Sequence, residues 1–172
     1  MIQAQPSLKF IPPAYNPIVW RIAKEIMPFW LRYNHNIINV EIDNASELID
    51  LYNQFQQGKI RFMLAFRHPA LADPSCIAQL LWNKLPQIAQ QQGVFLRSPV
   101  HAHFIYDRGI PLWAGNQVGW VISKLGGTPI RRGALDRLGL RSIRDLFVNG
   151  QFPMAAAPEG STNGHNEIVS PI

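Results

Sequence analysis

The chain has 172 residues with a formal net charge of +5, and 47% of its residues are hydrophobic. This length suits one domain with a substantial core, and the composition excludes a disordered or polytopic chain. No stretch approaches the roughly 18 consecutive apolar residues that a spanning helix needs. A single cysteine, Cys76, excludes a disulfide framework and a cysteine-based zinc site, and it favours a reducing cytoplasmic setting.

The N-terminal region, residues 1–34, is predicted to be a lead-in followed by an amphipathic helix. Residues 1–16 are rich in proline, and Pro17 suits the first turn of a helix. Apolar residues then recur at helical spacing on one side, at Ile18, Ile22, Ile26, Phe29 or Trp30, and Tyr33. Such a helix either packs on its own domain or lies in a membrane interface, and amphipathicity alone does not separate the two.

Residues 35–172 are predicted to form one α/β domain, with a mixed, largely parallel sheet flanked by helices. The predicted elements alternate along the chain. Strands are expected at 36–43, 60–66, 102–106, 128–132 and 152–158, and helices at 45–57, 75–91, 113–124 and 135–149. Asn44 is expected to cap the first of these helices and Gly58 to end it, whereas Pro86 is expected to interrupt the second. The near-continuous apolar run at 60–66 predicts a strand buried on both faces.

The positive charge is concentrated between residues 108 and 144. Seven basic residues lie there against a single acid, Asp136. Such an excess favours an anionic partner, for example a phosphate ester, coenzyme A, an acyl-carrier protein or an anionic lipid surface. Nucleic acid is not expected, because the arginines are not interleaved with aromatics and no nucleic-acid-binding motif is present.

The sequence "HPALADP" places His68 and Asp73 in the loop that follows the predicted strand 60–66. In open α/β sheets, ligands bind at this carboxyl end of the strands. A carboxylate next to an imidazole fixes the tautomer and stabilises the imidazolium that forms when histidine takes a proton from a hydroxyl. His68 is therefore a candidate general base, although a structural histidine is the alternative.

Two further segments end predicted strands with polar groups. "GGTPIRRG" places Arg131 and Arg132 at a strand end, where guanidinium groups suit bidentate phosphate binding. "APEGSTNG" presents Glu159 next to Gly160, where the chain can approach a ligand closely. Each segment alone is also compatible with an ordinary turn.

Taken in order, the three blocks resemble the signature of the glycerol-3-phosphate and lysophosphatidic acid acyltransferase family. That signature is H-x-x-x-x-D, then G-x-x-x-x-R, then [FV]-P-E-G-[ST]. The corresponding blocks here run from His68 to Asp73, from Gly127 to Arg132, and from Pro158 to Ser161, and the resemblance covers roughly residues 35–165. Ala157 stands where the family often has Phe or Val, and the family's fourth block is missing. We therefore expect the sheet to be incomplete at its C-terminal side.

The resemblance implies an O-acyltransferase of phospholipid synthesis that moves a fatty acyl group from a thioester to a lysophospholipid or glycerol phosphate. His68 would be the general base and Asp73 its orienting partner. Arg132 would bind the acceptor's phosphate with Arg131 as a neighbour, and Glu159, Gly160 and Ser161 would hold the glycerol part. The acyl donor would be acyl-CoA or acyl-carrier protein, with no metal and no other cofactor. The expected location is the cytoplasmic face of the membrane, with peripheral contact to anionic lipid.

Two other functions remain open from the sequence. One is an acyl ester or thioester hydrolase, although no G-x-S-x-G elbow is present and Cys76 lies in a predicted helix. The other is a non-catalytic, lipid-binding fragment of the same fold. His101 and His103 share one face of a predicted strand, where two imidazoles can serve a metal, but no third ligand stands at a recognisable spacing, so metal binding is not expected.

Overall fold

A computed structural model describes residues 8–133 and 135–158. Within these residues it has seven α-helices, one π-helical segment and four strands. They are α1 (Pro17–His35), α2 (Ala45–Gln56), β1 (Met63–Ala65), α3 (Asp73–Gln79), the π-helical segment (Leu80–Lys84), α4 (Leu85–Gln91), β2 (His103–Asp107), α5 (Ile110–Ala114), α6 (Asn116–Lys124), β3 (Thr128–Ile130), α7 (Arg137–Asn149) and β4 (Met154–Ala156).

The four described strands form one sheet in the order β1-β4-β2-β3, and every neighbouring pair is parallel. The predicted α/β class is confirmed, with an all-parallel sheet rather than a mixed one. β4 is last in the chain but lies between β1 and β2. Met154 is therefore in register with Met63 on one side and with His103 on the other.

The core lies where α1, α2 and the helical stretch from α3 to α4 pack over the sheet. Its members are buried side chains at helical spacing, including Ile49 and Tyr52 of α2 and Leu81, Trp82 and Leu85 of the next helix. Tyr52 also donates a hydrogen bond of 3.0 Å from its hydroxyl to the backbone oxygen of His101. This bond ties α2 to the segment that enters β2.

The predicted strand at 36–43 is wrong, because residues 36–42 have no regular structure. Ile42 packs against the core while Ile38 is 83% exposed, which explains the alternating pattern without a strand partner. The segment instead runs beside helices, and Lys84 donates a 2.8 Å hydrogen bond to the side chain of Asn39. Asn44 occupies the N-cap position of α2 as predicted, but its backbone is left-handed and its side chain makes no capping hydrogen bond.

The apolar run at 60–66 forms only the short strand β1, and β1 is an edge strand. The prediction of burial on both faces is wrong, because Met63 and Ala65 are exposed on one face while Leu64 is partly buried on the other. The regular α-helix is interrupted next to Pro86, as predicted, by the π-helical segment Leu80–Lys84, although helical structure of one kind or another runs from Asp73 to Gln91. The π-helical turn admits the proline there, and the amide of Leu85 bonds back to the carbonyl of Leu80.

Candidate active site

Because all described strands are parallel, the segments that follow them leave the sheet on the same side, where the carboxyl ends of the strands lie. This side is called the carboxyl edge below. His68 follows β1, Arg108 follows β2, and Arg131 and Arg132 follow β3. Pro158, the last described residue, follows β4. The fold thus gathers the candidate residues of two separate sequence blocks, together with the first residue of the third block, at the carboxyl edge of one sheet.

His68 and Asp73 are in contact, and both are half-buried. Nδ1 of His68 lies 3.3 Å from Oδ2 of Asp73, and their side chains are 19% and 25% exposed. The same carboxylate oxygen accepts a 2.7 Å hydrogen bond from the backbone N–H of Ala70, which holds it in place. A carboxylate can only accept, so Nδ1 carries the proton and the lone pair of the neutral ring is on Nε2. This tautomer suits a general base acting through Nε2.

Arg132 forms an ion pair from Nε to Oδ2 of Asp107, the last residue of β2. The arginine side chain is 49% exposed and that of Asp107 is 26% exposed. Oδ1 of Asp107 accepts a further hydrogen bond of 2.6 Å from the amide of Gly109. The carboxylate of Asp107 therefore sets the orientation of Arg132 at the sheet edge.

A buried ion pair supports the loop that carries the two arginines. Arg108 pairs with Asp136, and their side chains are only 9% and 5% exposed. Asp136 also accepts hydrogen bonds from the amide of Arg131 at 2.8 Å and, as the N-cap of α7, from the amide of Gly139 at 3.0 Å. Burial alone would raise the pKa of Asp136, but the amides of Gly139 and Arg131 and the Arg108 guanidinium hold that pKa below its ordinary value.

Asp107, Arg108 and Asp136 belong to this site but were not among the residues predicted for it. A usable signal was present for the first two, since they directly follow the predicted strand 102–106. Their partners lie 25 and 28 residues further along the chain, and only the pairing of β2 with β3 brings them together. Of the basic residues between 108 and 144, Arg108 is thus a buried structural charge, whereas Arg131 and Arg132 are exposed.

His68 and Arg132 follow β1 and β3, which are the two outermost of the described strands. Three strand spacings separate the two strands, roughly 14 Å. An acceptor that contacts both side chains would lie across the ends of β4 and β2. The predicted site residues Glu159, Gly160 and Ser161, which come after β4, lie outside the described residues.

His101 and His103 lie at the start of β2, away from this edge, and both are buried. Nδ1 of His101 accepts from the indole N–H of Trp82 at 2.8 Å, so its Nε2 donates to the carbonyl of Leu125 at 2.7 Å. His103 donates from Nδ1 to the carbonyl of Gly126 at 2.8 Å. Burial lowers the pKa of His101 to about 3 and lowers that of His103 in the same direction. These contacts tie β2 to the helix before it and to the turn that enters β3.

In the part of the chain that the structure describes, no three histidine, cysteine or carboxylate side chains are grouped as they would be to hold a metal ion. No helix among the described residues is long and apolar enough to cross a bilayer. Comparison of the chain with known protein families, curated proteins and solved structures finds no match. What the geometry itself defines is an α/β protein with a histidine–carboxylate pair and two exposed arginines at the carboxyl edge of a parallel sheet.

Proposed function

We propose that this chain is an O-acyltransferase of the glycerol-3-phosphate acyltransferase type, which moves a fatty acyl group from a thioester to the hydroxyl of a phosphate-bearing glycerol acceptor. The contact between His68 and Asp73 carries the proposal. The resemblance of the sequence blocks first suggested it. The position of Arg131 and Arg132 at the same sheet edge supports it, because transfer to a phosphorylated acceptor needs a base and a phosphate site that open on one surface.

In this reaction His68 removes a proton from the acceptor hydroxyl and later delivers it to the leaving thiolate. Nε2 of His68 takes the proton of the acceptor hydroxyl while that oxygen attacks the thioester carbonyl carbon. Asp73 stabilises the imidazolium that results. The tetrahedral intermediate then collapses, the carbon–sulfur bond breaks, and His68 returns its proton to the departing thiolate. The products are the ester and the free thiol, with no covalent acyl-enzyme.

The acceptor's phosphate is assigned to Arg132, with Arg131 beside it. Arg132 is already oriented by Asp107, so phosphate would meet a guanidinium of defined geometry rather than a mobile side chain. The buried pair of Arg108 and Asp136 supports the loop that carries Arg131 and Arg132, because Asp136 also accepts a hydrogen bond from the amide of Arg131. The resemblance assigns the glycerol part to Glu159, Gly160 and Ser161, and the donor thiol to coenzyme A or acyl-carrier protein.

The test is a transfer assay on the whole chain, with palmitoyl-CoA and palmitoyl-acyl-carrier protein as donors. Glycerol-3-phosphate and 1-acylglycerol-3-phosphate serve as acceptors, and both free thiol and ester product are measured. We expect thiol release that depends on acceptor, and a loss of roughly 1,000-fold in His68→Ala. The matched control His35→Ala removes a histidine from the end of α1 and should retain full activity.

Three outcomes would overturn this function. Transfer that survives in His68→Ala removes the assigned base. Equal thiol release with and without acceptor identifies a hydrolase that uses water. Absence of transfer with every donor and acceptor leaves only a non-catalytic protein of this fold.

A further inference from the structure

The helix α1 exposes an apolar stripe on the side that faces away from the domain. Six large side chains form this stripe, each between 48% and 75% exposed: Ile18, Ile22, Ile26, Phe29, Trp30 and Tyr33. They recur every three or four residues, so they lie along one face of the helix. Exposed apolar residues are ordinary when they are scattered singly, but a continuous stripe of this kind marks an interaction surface.

The same helix packs on the domain by a different face. Trp20 and Leu31 are buried, and Ala23 and Met27 pack against the core beside them. Trp20 stands edge-to-face on Trp82, with ring centroids 6.4 Å apart. The apolar stripe is therefore not the surface that attaches α1 to its own domain. The inward face accounts for packing on the domain, and the outward face is left for contact with a membrane interface.

Basic side chains border the stripe. Arg21 and Arg32 are exposed and lie next to it on the helix surface, Lys24 is half-buried, and Glu25 is the one acidic residue among the 19 of α1. Long basic side chains beside an apolar stripe can reach phosphate groups while the stripe enters the acyl region. A symmetric contact between two copies would instead bring these like charges together, which disfavours self-association through this face.

The helix that carries the stripe packs on the helix that begins at the candidate site. α1 packs against α3, whose first residue is Asp73, and also against α6. Leu71, in the loop between His68 and Asp73, adds an apolar side chain that is 66% exposed. A lipid surface that binds the stripe would therefore hold the helix that packs on α3, and α3 begins with the carboxylate of the histidine–carboxylate pair.

From these observations we propose that the outward face of α1 docks the protein on an anionic lipid surface, with Ile18, Ile22, Ile26, Phe29, Trp30 and Tyr33 inserted at the headgroup boundary and Arg21 and Arg32 on lipid phosphates. The docking does not depend on acyl transfer. If the proposed function also holds, lipid acceptors reach the site from the same surface.

Vesicle binding of the whole protein tests the proposal directly. The probes are liposomes of phosphatidylcholine alone and with one third phosphatidylglycerol, at low and high salt. We expect tight binding to the anionic vesicles that weakens as salt rises. With Trp113 and Trp120 changed to phenylalanine, Trp30 remains the one exposed tryptophan among the described residues, and its emission should shift to the blue on binding.

Two pairs of matched variants locate the surface. Ile22→Asp combined with Phe29→Asp should weaken binding on the order of 100-fold, since two apolar side chains that would be inserted in the lipid are lost. Phe95→Asp combined with Val148→Asp makes the same changes in charge at exposed apolar sites elsewhere and should bind like the wild type. Arg21→Gln combined with Arg32→Gln should cost about fivefold per charge on anionic vesicles, whereas Arg141→Gln combined with Arg144→Gln on α7 should not.

The proposal is overturned if the wild type does not bind anionic vesicles, or if both aspartate pairs weaken binding equally. Sedimentation velocity in the absence of lipid tests whether a second copy of the chain binds the stripe instead of lipid. A wild-type dimer that Ile22→Asp with Phe29→Asp converts to a monomer would assign the stripe to a second copy. Vesicle binding that persists in a protein without transferase activity would refute the proposed function and leave the docking intact.

Discussion

Two histidine sites in this protein differ in what surrounds an otherwise identical ring. His68 is half-buried at the carboxyl edge of the sheet, and its partner is the carboxylate of Asp73. His101 is buried at the opposite end of β2, and its partners are an indole N–H and a backbone carbonyl. Burial lowers the pKa of His101 and keeps its ring neutral. The first environment suits proton transfer, and the second suits a permanent structural hydrogen-bond network.

The largest expected effect is on the free energy of unfolding when each of the two histidines is replaced by leucine. His101→Leu leaves the Trp82 indole and the Leu125 carbonyl without their partner, so the free energy of unfolding should fall by about 3 kcal/mol. His68→Leu, on a half-exposed loop, should change the same quantity by less than about 1 kcal/mol. Urea denaturation at pH 7.5 measures both. Equal losses would mean that the two histidines do not differ in structural role.

Lowering the pH should act on the buried site. The pKa of His101 in the folded chain is about 3, below its ordinary value of 6.5. Between these two pH values the histidine is largely protonated in the unfolded chain and neutral in the folded chain. Stability from this group is complete above pH 6.5 and is lost as the pH falls, at roughly 1.4 kcal/mol per unit. His103 acts in the same direction.

The measurement is the free energy of unfolding at pH 7.5, 5.5 and 4.5. His101→Leu should show a shallower dependence than the wild type. Leu85→Ala, which also removes a fully buried side chain but nothing that titrates, should be destabilised and keep the wild-type slope. If His101→Leu keeps that slope as well, the ring is not held neutral in the folded state.

The smallest effect isolates the charge of Asp73. In Asp73→Asn the amide oxygen can still accept from Ala70 and from Nδ1 of His68, so geometry is retained while the negative charge is lost. We expect kcat/KM for acyl transfer to fall about tenfold with unchanged stability, because the carboxylate acts on an imidazolium that forms only during the reaction, at a partly exposed position where solvent screens the charges. Asp145→Asn, on the exposed face of α7, is the matched control. A fall of the same size in that control would remove the special role of Asp73.

Much of the fold was predictable because its signals are local. The α/β alternation, the strand at 102–106 and the helix ending near Gly58 follow from patterns within a dozen residues, and all are present. The strand at 36–43 failed because an alternating pattern records which side chains are buried, not what buries them. Ile42 packs against a core that is largely helical, and none of the four described strands pairs with its segment.

For the candidate site, the sequence by itself determined which residues could do chemistry and that each block ends a strand, since residue type and short-range pattern are properties of the chain. Only the tertiary structure decided their arrangement. It placed β4 between β1 and β2, paired Asp107 with Arg132 and Arg108 with Asp136, and turned the apolar stripe of α1 outward. The physical reason is that these contacts join residues far apart in the chain, and their partners are chosen by strand order and by competition for the core.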